Sequence, residues 1–235
     1  MKAKLEALAV ISLLKKRYGR TFHTKEDPFF VLIFTILSAR NRDSQTYKAA
    51  ASLFKSFPTM KSLAAAKVSD IENAIKFIGL FRQKARRVKE TSQQLLETYG
   101  GKVPETMDEL LKLPGVGRKT ASCVLIYAYN KPAIAVDTHV HRISNRIGLV
   151  ATKTPEQTER ALMQLLPKEK WLDVNEALVK HGQQVCLPIK PRCPECPIKS
   201  YCNYYKTVFL KQANTKTQKL GKAIKEDVEW GLYGK

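Results

Sequence analysis

Apolar residues recur every three to four positions along most of the chain, and strict alternation of apolar and polar residues is rare. The first spacing places apolar side chains on one face of an α-helix, whereas alternation is typical of strands. The pattern therefore predicts an all-α fold. Near the N-terminus it predicts an amphipathic helix with the apolar positions Leu5, Leu8, Ile11 and Leu14.

Start and stop signals divide this pattern into separate helices. Asp27 and Pro28 are predicted to open the apolar helix 29–39, because Asp caps an early N–H and Pro fits the first turn. Other helices are predicted over 46–57, 81–100, 139–149 and 171–185. Three pairs have the spacing of a capping box: Ser69 with Glu72, Thr106 with Glu109, and Thr154 with Gln157.

The charge adds information about partners. The 235 residues include 41 Lys and Arg against 21 Asp and Glu, a formal charge of +20 at pH 7. This excess favours nucleic acid as the partner, because basic groups that neutralise phosphates release condensed counterions. A basic protein without such a partner is the simpler alternative.

No segment predicts a membrane crossing, because the apolar stretch near the N-terminus is short and interrupted by charges. We therefore expect an intracellular monomer, in the cytoplasm or nucleoid. In that compartment clustered cysteines more often hold a metal than form disulfides. Residues 204–235 are polar and rich in lysine, which predicts a basic C-terminal extension.

A glycine-rich turn, LPGVG, separates two predicted helices within about residues 106–130. Gly115 and Gly117 permit positive φ and close approach of another backbone. Their N–H groups can face a phosphate oxygen, and Arg118 and Lys119 follow at once. This arrangement predicts a helix-hairpin-helix that binds the DNA backbone without reading sequence. A tight turn without a ligand is the alternative.

Lys119 lies in the first turn of the second predicted hairpin helix. The helix dipole and Arg118 both disfavour a cation there, so both favour the neutral amine that can attack carbon. Asp137 follows an apolar run and precedes a helix. A carboxylate at that point could stabilise the positive charge that develops when an N-glycosidic bond breaks. An exposed phosphate-binding lysine and an ordinary N-cap are the simpler alternatives.

Four of the five cysteines follow the spacing C-x6-C-x2-C-x5-C in a proline-rich segment: Cys186, Cys193, Cys196 and Cys202. The prolines exclude a helix, so the thiols must converge through a loop. One short pair with longer arms on either side suits a [4Fe–4S] cluster, whereas zinc, the alternative, usually has two short pairs. The fifth cysteine, Cys123, is expected to be a core residue.

LPGVGRKTA, VDTHVHR and the cysteine loop together resemble the endonuclease III family of helix-hairpin-helix DNA glycosylases, over about residues 5–205. The resemblance implies a bilobed fold. A six-helix barrel would span 22–132, and a [4Fe–4S] cluster lobe would combine 1–21 with 133–203. DNA would lie in the cleft between the lobes, with the damaged nucleotide flipped out.

The resemblance also implies the chemistry. The lysine matching Lys119 attacks C1′ of the damaged nucleotide and forms a Schiff base, and the aspartate matching Asp137 assists release of the base. β-Elimination then cuts the strand at the abasic site. The substrate would be double-stranded DNA that contains damaged bases, by default oxidised pyrimidines, or abasic sites. The four loop cysteines would ligate the cluster, which takes no part in the glycosylase chemistry.

The positions that match DNA contacts of the family form a larger set. They are Gly115, Val116, Gly117 and Arg118 in the hairpin, Arg40, Asp43 and Leu80 at the barrel edge, His139, and Lys190 and Arg192 in the cysteine loop. Leu80 matches the wedge that fills the gap left by the flipped base; a core leucine is the alternative. Arg40 replaces the glutamine usual in the family, so the preference for the lesion or the opposite base can differ.

Two other functions are weighed. A monofunctional glycosylase for mismatched or uracil-type bases has the same fold, but such relatives lack a lysine at this position. A DNA-binding protein without activity would use the hairpin and the metal loop only to hold DNA. The presence of both Lys119 and Asp137 favours the enzyme over either alternative.

Overall fold

The computed structural model describes residues 2–19 and 26–212, and all regular elements in these ranges are helical. This confirms the all-α prediction. None of the described helices is both long and apolar enough to cross a membrane. The α-helices are α1 (Lys2–Tyr18), α2 (Pro28–Ser38), α3 (Asp43–Ser56), α4 (Met60–Ala65), α5 (Val68–Ile75), α6 (Phe81–Tyr99), α7 (Met107–Leu110), α8 (Arg118–Cys123), α9 (Thr138–Ile147), α10 (Pro155–Leu165) and α11 (Trp171–Gln184).

The described residues fall into two compact units. The first unit comprises 2–19, 138–166 and 176–212, and the second comprises 26–137 and 167–175. Residues 133–137 and 167–175 thus group with the second unit, whereas the resemblance assigned them to the cluster lobe.

Helix α2 is the centre of the second unit. It packs against α3, α6 and α8. Leu32, Ile33 and Leu37 are fully buried on it, as expected for a helix that is apolar on all sides. Asp27 caps this helix, because its Oδ1 accepts a hydrogen bond from the Phe30 N–H at 2.7 Å. The predicted start of this helix is confirmed.

The three predicted capping boxes differ in outcome. Thr154 and Gln157 form the complete box at the start of α10. Thr106 accepts a hydrogen bond from the Glu109 N–H, but the Glu109 carboxylate binds Tyr99 and Lys112 instead of completing the box.

The box predicted for Ser69 and Glu72 is wrong. Helix α5 already begins at Val68, because the carbonyl of Lys67 accepts hydrogen bonds from the N–H groups of Asp70 and Ile71. Ser69 therefore lies inside the first turn, where its hydroxyl donates to the Asp70 carboxylate.

In the first unit, α10 packs against α1 and α9. Ile11 and Leu14 of α1 are buried as predicted, but Leu5 is 61% exposed and Leu8 only partly buried. The buried face instead includes Ala7 and Val10. Because alanine is small, its part in this face was not recognised from the apolar spacing.

Candidate active site and nucleic-acid interface

The LPGVG turn rests on helix α6. The Thr91 hydroxyl donates a hydrogen bond to the Pro114 carbonyl at 2.7 Å. Gly115 has φ +74°, and a Cβ at this position would lie 2.5 Å from Cδ of Arg87. Both the left-handed backbone and the close approach of α6 therefore require glycine here.

Gly117 differs from the expectation of positive φ. Its φ is −97° and its ψ is 177°, an extended conformation that any residue can adopt. A Cβ at Gly117 would meet no protein atom within 4 Å. The fold alone therefore does not require glycine at this position, and the space beside its backbone is open at the start of α8.

The structure brings Lys119, Cys123 and Asp137 together. Lys119 lies in the first turn of α8 and donates a hydrogen bond to the thiol of Cys123, four residues later. Burial raises the pKa of this thiol; the Lys119 charge opposes the increase and the Asp137 charge adds to it. The side chains of Lys119 and Asp137 therefore both act on the same buried cysteine, which is 5% exposed.

A buried segment of the chain, residues 133–136, leads directly to Asp137. The Asn175 amide donates to the Ala135 carbonyl at 2.7 Å, and the Tyr127 hydroxyl donates to the Asn175 amide oxygen. Because both ends of Asn175 are engaged, the backbone just before Asp137 is fixed to the π-helical turn that continues α8.

Arg40 and Leu80 are two non-glycine residues in the left-handed region, with φ 52° and 60°. Their loops are adjacent, since a Cβ at Gly79 would lie 4.0 Å from the Arg40 carbonyl oxygen. Leu80 is 50% exposed, so it is not the core leucine considered as the alternative. Asp43 is the first residue of α3, directly after the Arg40 loop.

Sequence reasoning missed Phe77, which is 48% exposed and lies in the same loop as Leu80. It also assigned Cys123 to the core without connecting it to Lys119. The i, i+4 spacing of these two residues on one helix was the available signal. The apolar pattern gave no signal for Phe77, because its exposure depends on the direction in which the chain leaves α5.

The four loop cysteines lie in the first unit and are free of disulfides. Burial raises the pKa of Cys193 and Cys202, and raises the pKa of Cys196 to about 11. The charge of Cys186 adds to each of these three increases. Among the described residues, no three His, Cys, Asp or Glu side chains form a group suited to a metal ion.

Helix α9 holds the cysteine loop through two arginines. Arg142 donates to the Cys186 carbonyl at 2.9 Å. Arg146 donates to the carbonyls of Leu187 and Pro188, each at 2.7 Å. Because three consecutive carbonyls are bound in this way, the loop that follows Cys186 has a defined path.

His181 is buried beside this loop, with 1% of its surface exposed. Its Nδ1 lies 3.0 Å from the Tyr18 hydroxyl, and its Nε2 lies 3.5 Å from Sγ of Cys196. Burial lowers the pKa of His181 to about 4, and the Arg17 charge adds to the decrease. The imidazole is therefore neutral near pH 7.

Three comparisons with known proteins show the family of this chain. The model of the HhH-GPD superfamily base excision DNA repair proteins matches residues 33–168. Endonuclease III of Thermotoga maritima is 50% identical over 204 residues, which cover 87% of this chain and 95% of that protein. A trapped covalent intermediate of endonuclease III with DNA matches with a TM-score of 0.81 at 36% identity, covering 86% of this chain and 97% of that one.

The chain belongs to the endonuclease III family. It is thus a base-excision repair DNA glycosylase with abasic-site lyase activity. A thermostable thymine-DNA glycosylase has the same fold at lower similarity, with a TM-score of 0.76 and 30% identity over 87% of this chain and 97% of that one.

In this endonuclease III family member, His139 is held inside the first unit. Gly182 packs against its ring, and the Arg142 guanidinium lies 3.2 Å from its Nδ1. Lys190 has φ 52°, and both Lys190 and Arg192 are exposed in the cysteine loop. The two basic residues are therefore accessible, whereas His139 is partly covered.

Proposed function

We propose that this endonuclease III family member removes damaged bases, by default oxidised pyrimidines, through attack of the Lys119 amine on C1′ of the damaged nucleotide. The observation that supports this role is that Lys119 and Asp137 both lie near enough to the buried thiol of Cys123 for their charges to act on it. A nucleophilic amine and a carboxylate at one site are the two groups that this reaction requires.

The proposed reaction has two stages. As the Lys119 amine bonds to C1′, the N-glycosidic bond breaks and its electron pair leaves with the base. The Asp137 carboxylate stabilises the positive charge on the sugar. The ring then opens to a Schiff base at Lys119, and loss of a C2′ proton expels the 3′ phosphate, which cuts the strand.

The DNA contacts are proposed in three places. In the hairpin, the N–H groups of Gly115 and Gly117 would bind a phosphate, with Arg118 beside them. The Val116 N–H donates to the Leu113 carbonyl at 3.2 Å, so Val116 would shape the turn between the two glycines. At the barrel edge, Leu80 would fill the gap left by the flipped nucleotide, and Arg40 and Asp43 would lie against the opposite strand. In the first unit, Lys190 and Arg192 would contact phosphates, and His139 would lie near the lesion.

The cofactor is proposed to be a [4Fe–4S] cluster on Cys186, Cys193, Cys196 and Cys202. Four thiols without a carboxylate are the donor set that iron–sulfur clusters use. The thiols fit this role because Cys193 is buried, the other three are partly buried, and their charges act on one another. A bound cluster would supply a fixed shape for the loop that carries Lys190 and Arg192.

Borohydride trapping on DNA with one abasic site tests the nucleophile. Borohydride reduces a Schiff base to a stable amine, so the wild type should form a covalent protein–DNA adduct. Lys119→Ala should lose it, whereas Lys102→Ala, a matched control at an exposed lysine, should keep it. No adduct with the wild type, or an adduct that survives in Lys119→Ala, would contradict the proposal.

Arg40 is proposed to adjust the base preference. Single-turnover excision is measured for a panel of oxidised pyrimidines opposite each of the four bases, and for thymine or uracil opposite guanine. The proposal expects oxidised pyrimidines to be removed faster, and Arg40→Gln to change the ranking among opposite bases. Faster removal of mismatched thymine, without strand cleavage, would favour the monofunctional alternative.

Two further measurements address the cofactor and the assembly. Iron and sulfide analysis of the purified protein should give four of each per chain, together with visible absorbance. Zinc in a colourless protein would contradict the cluster.

Sedimentation should give one chain per particle, in keeping with an enzyme that acts alone on intracellular DNA.

A further inference from the structure

His181 is the described side chain that links one cysteine of the loop to the N-terminal helix. Its Nε2 lies 3.5 Å from Sγ of Cys196, and its Nδ1 lies 3.0 Å from the hydroxyl of Tyr18. The imidazole is almost fully buried, so water does not compete for either nitrogen. Each nitrogen of this ring therefore has one defined partner.

Two of the other loop cysteines, Cys186 and Cys202, receive different donors. Arg146 Nη1 lies 3.7 Å from Sγ of Cys186, and the backbone N–H groups of Tyr204 and Tyr205 donate to Cys202. Cys196 receives a backbone N–H from Ile198 in addition to the contact with His181. Cys196 thus combines a backbone donor with an imidazole whose orientation a second residue controls.

The partner of each nitrogen determines the tautomer. A neutral imidazole carries one proton, on Nδ1 or on Nε2. A cysteine that ligates a cluster is a thiolate, which can only accept a hydrogen bond. His181 must then carry its proton on Nε2, and Nδ1 accepts a hydrogen bond from the Tyr18 hydroxyl. The three groups form a directed chain from Tyr18 through His181 to Cys196.

The end of α1 that supplies Tyr18 is itself held in place. Lys180 Nζ donates to the Tyr18 carbonyl at 3.1 Å and pairs with the Glu176 carboxylate at 2.8 Å. Burial raises the pKa of the Tyr18 hydroxyl, which keeps it protonated as a donor. The first helix of the chain therefore contributes a fixed hydrogen-bond donor to the surroundings of the cysteine loop.

We propose that His181, oriented by Tyr18, is a positioning residue that donates a hydrogen bond to the Cys196 thiolate and thereby sets the reduction potential and the retention of the cluster. This proposal rests on the cofactor proposed above. Hydrogen bonds to ligand sulfurs stabilise the more negative, reduced state and raise the reduction potential. Loss of the donor lowers the potential and weakens the hold on iron.

Three variants test this in the full-length protein, by voltammetry without DNA and by the rate of iron release to a chelator. His181→Leu removes the donor, His181→Gln keeps an N–H that can reach sulfur, and Tyr18→Phe removes only the hydroxyl that orients the ring. We expect His181→Leu to lower the potential and to speed iron release about tenfold or more. His181→Gln should recover most of the potential, and Tyr18→Phe should shift it part of the way.

The outcomes separate this proposal from the one on which it rests. A wild type without iron and sulfide overturns both. A normal cluster whose potential is the same in the wild type, His181→Leu and Tyr18→Phe overturns only the role of His181. Equal shifts in His181→Leu and His181→Gln would show that His181 acts through packing alone. If His181→Leu does not fold, Tyr18→Phe still tests the role of His181, because this variant leaves the imidazole ring in place.

Discussion

The side chain of Lys119 donates a hydrogen bond to the thiol of Cys123, which lies one turn further along the same helix. The thiol is buried among apolar residues of the second unit. The Cys123 side chain, at the C-terminal end of this helix, therefore helps to fix the position of the amine that we propose as the nucleophile.

Replacing Cys123 by valine should slow formation of the Lys119 adduct without weakening DNA binding. Valine fills the space but cannot accept the hydrogen bond, which is worth about 0.5–1.5 kcal/mol and corresponds to roughly a two- to tenfold change in rate. Cys123→Ser, which keeps an acceptor, should recover part of the rate. Equal trapping rates for wild type and Cys123→Val would show that the thiol does not position Lys119.

The two hairpin glycines should respond differently to alanine. Gly115→Ala should lower the free energy of unfolding by at least about 1–2 kcal/mol, because φ is +74° and the added Cβ meets Arg87. Gly117→Ala should leave stability within about 0.5 kcal/mol, yet weaken binding to undamaged DNA, since its Cβ enters the space proposed for a phosphate. Urea unfolding and fluorescence anisotropy measure the two effects. Unchanged DNA affinity in Gly117→Ala would count against the hairpin contact.

Leu80→Ala should reduce excision without affecting stability. Half of the Leu80 side chain is exposed, so truncating it changes the free energy of unfolding by only about 0.5 kcal/mol. We expect single-turnover excision from duplex DNA to fall at least tenfold, because nothing then fills the gap left by the lesion. Leu5→Ala, at another exposed leucine, is the matched control and should change neither quantity. Excision at the wild-type rate by Leu80→Ala would exclude a wedge at this position.

Lys84 predicts a dependence of stability on pH. It is 2% exposed, and its Nζ has no hydrogen-bond partner among the described residues. Burial lowers the pKa of Lys84 from its ordinary value of 10.5. In the window from the lowered pKa up to 10.5, the unfolded chain binds more protons, so stability rises with pH. Below that window both states are protonated and the cost of burial is fully present.

Lys84→Met should therefore stabilise the protein by about 1–3 kcal/mol near neutral pH, since it removes an unpaired buried amine but keeps a similar shape. The advantage over the wild type should shrink as pH approaches 10.5. Urea unfolding at both pH values measures it, with Lys89→Met on the same helix as the control. A Lys84→Met protein that is less stable than the wild type near neutral pH would indicate a partner for the amine.

Local signals in the sequence predicted local structure well. Asp27 and Thr154 cap their helices as expected, because each cap depends on residues within three positions. The cap predicted at Ser69 is wrong, since the helix begins two residues earlier, with Lys67 as its N-cap. A capping pattern shows that a helix can start there, but packing decides whether it does.

The site was only partly accessible from the sequence. The motif around Lys119 indicated a nucleophile. Its contact with Cys123, and the hydrogen bond from Asn175 that fixes the backbone just before Asp137, depend on the folded chain. No pattern in the sequence indicated a role for His181. Its contacts join residues that lie 163 and 15 positions apart, a relationship that periodicity cannot reveal.

The left-handed backbone at Arg40 and Leu80 has a kinetic consequence for the proposed function. Each such residue costs about 1–3 kcal/mol, and this cost is met when the protein folds, before any DNA is bound. The two side chains are thus presented without a further loss of loop entropy at each encounter. In the proposed function, each insertion of Leu80 into the duplex would therefore start from a side chain that is already exposed, which favours rapid testing of successive base pairs.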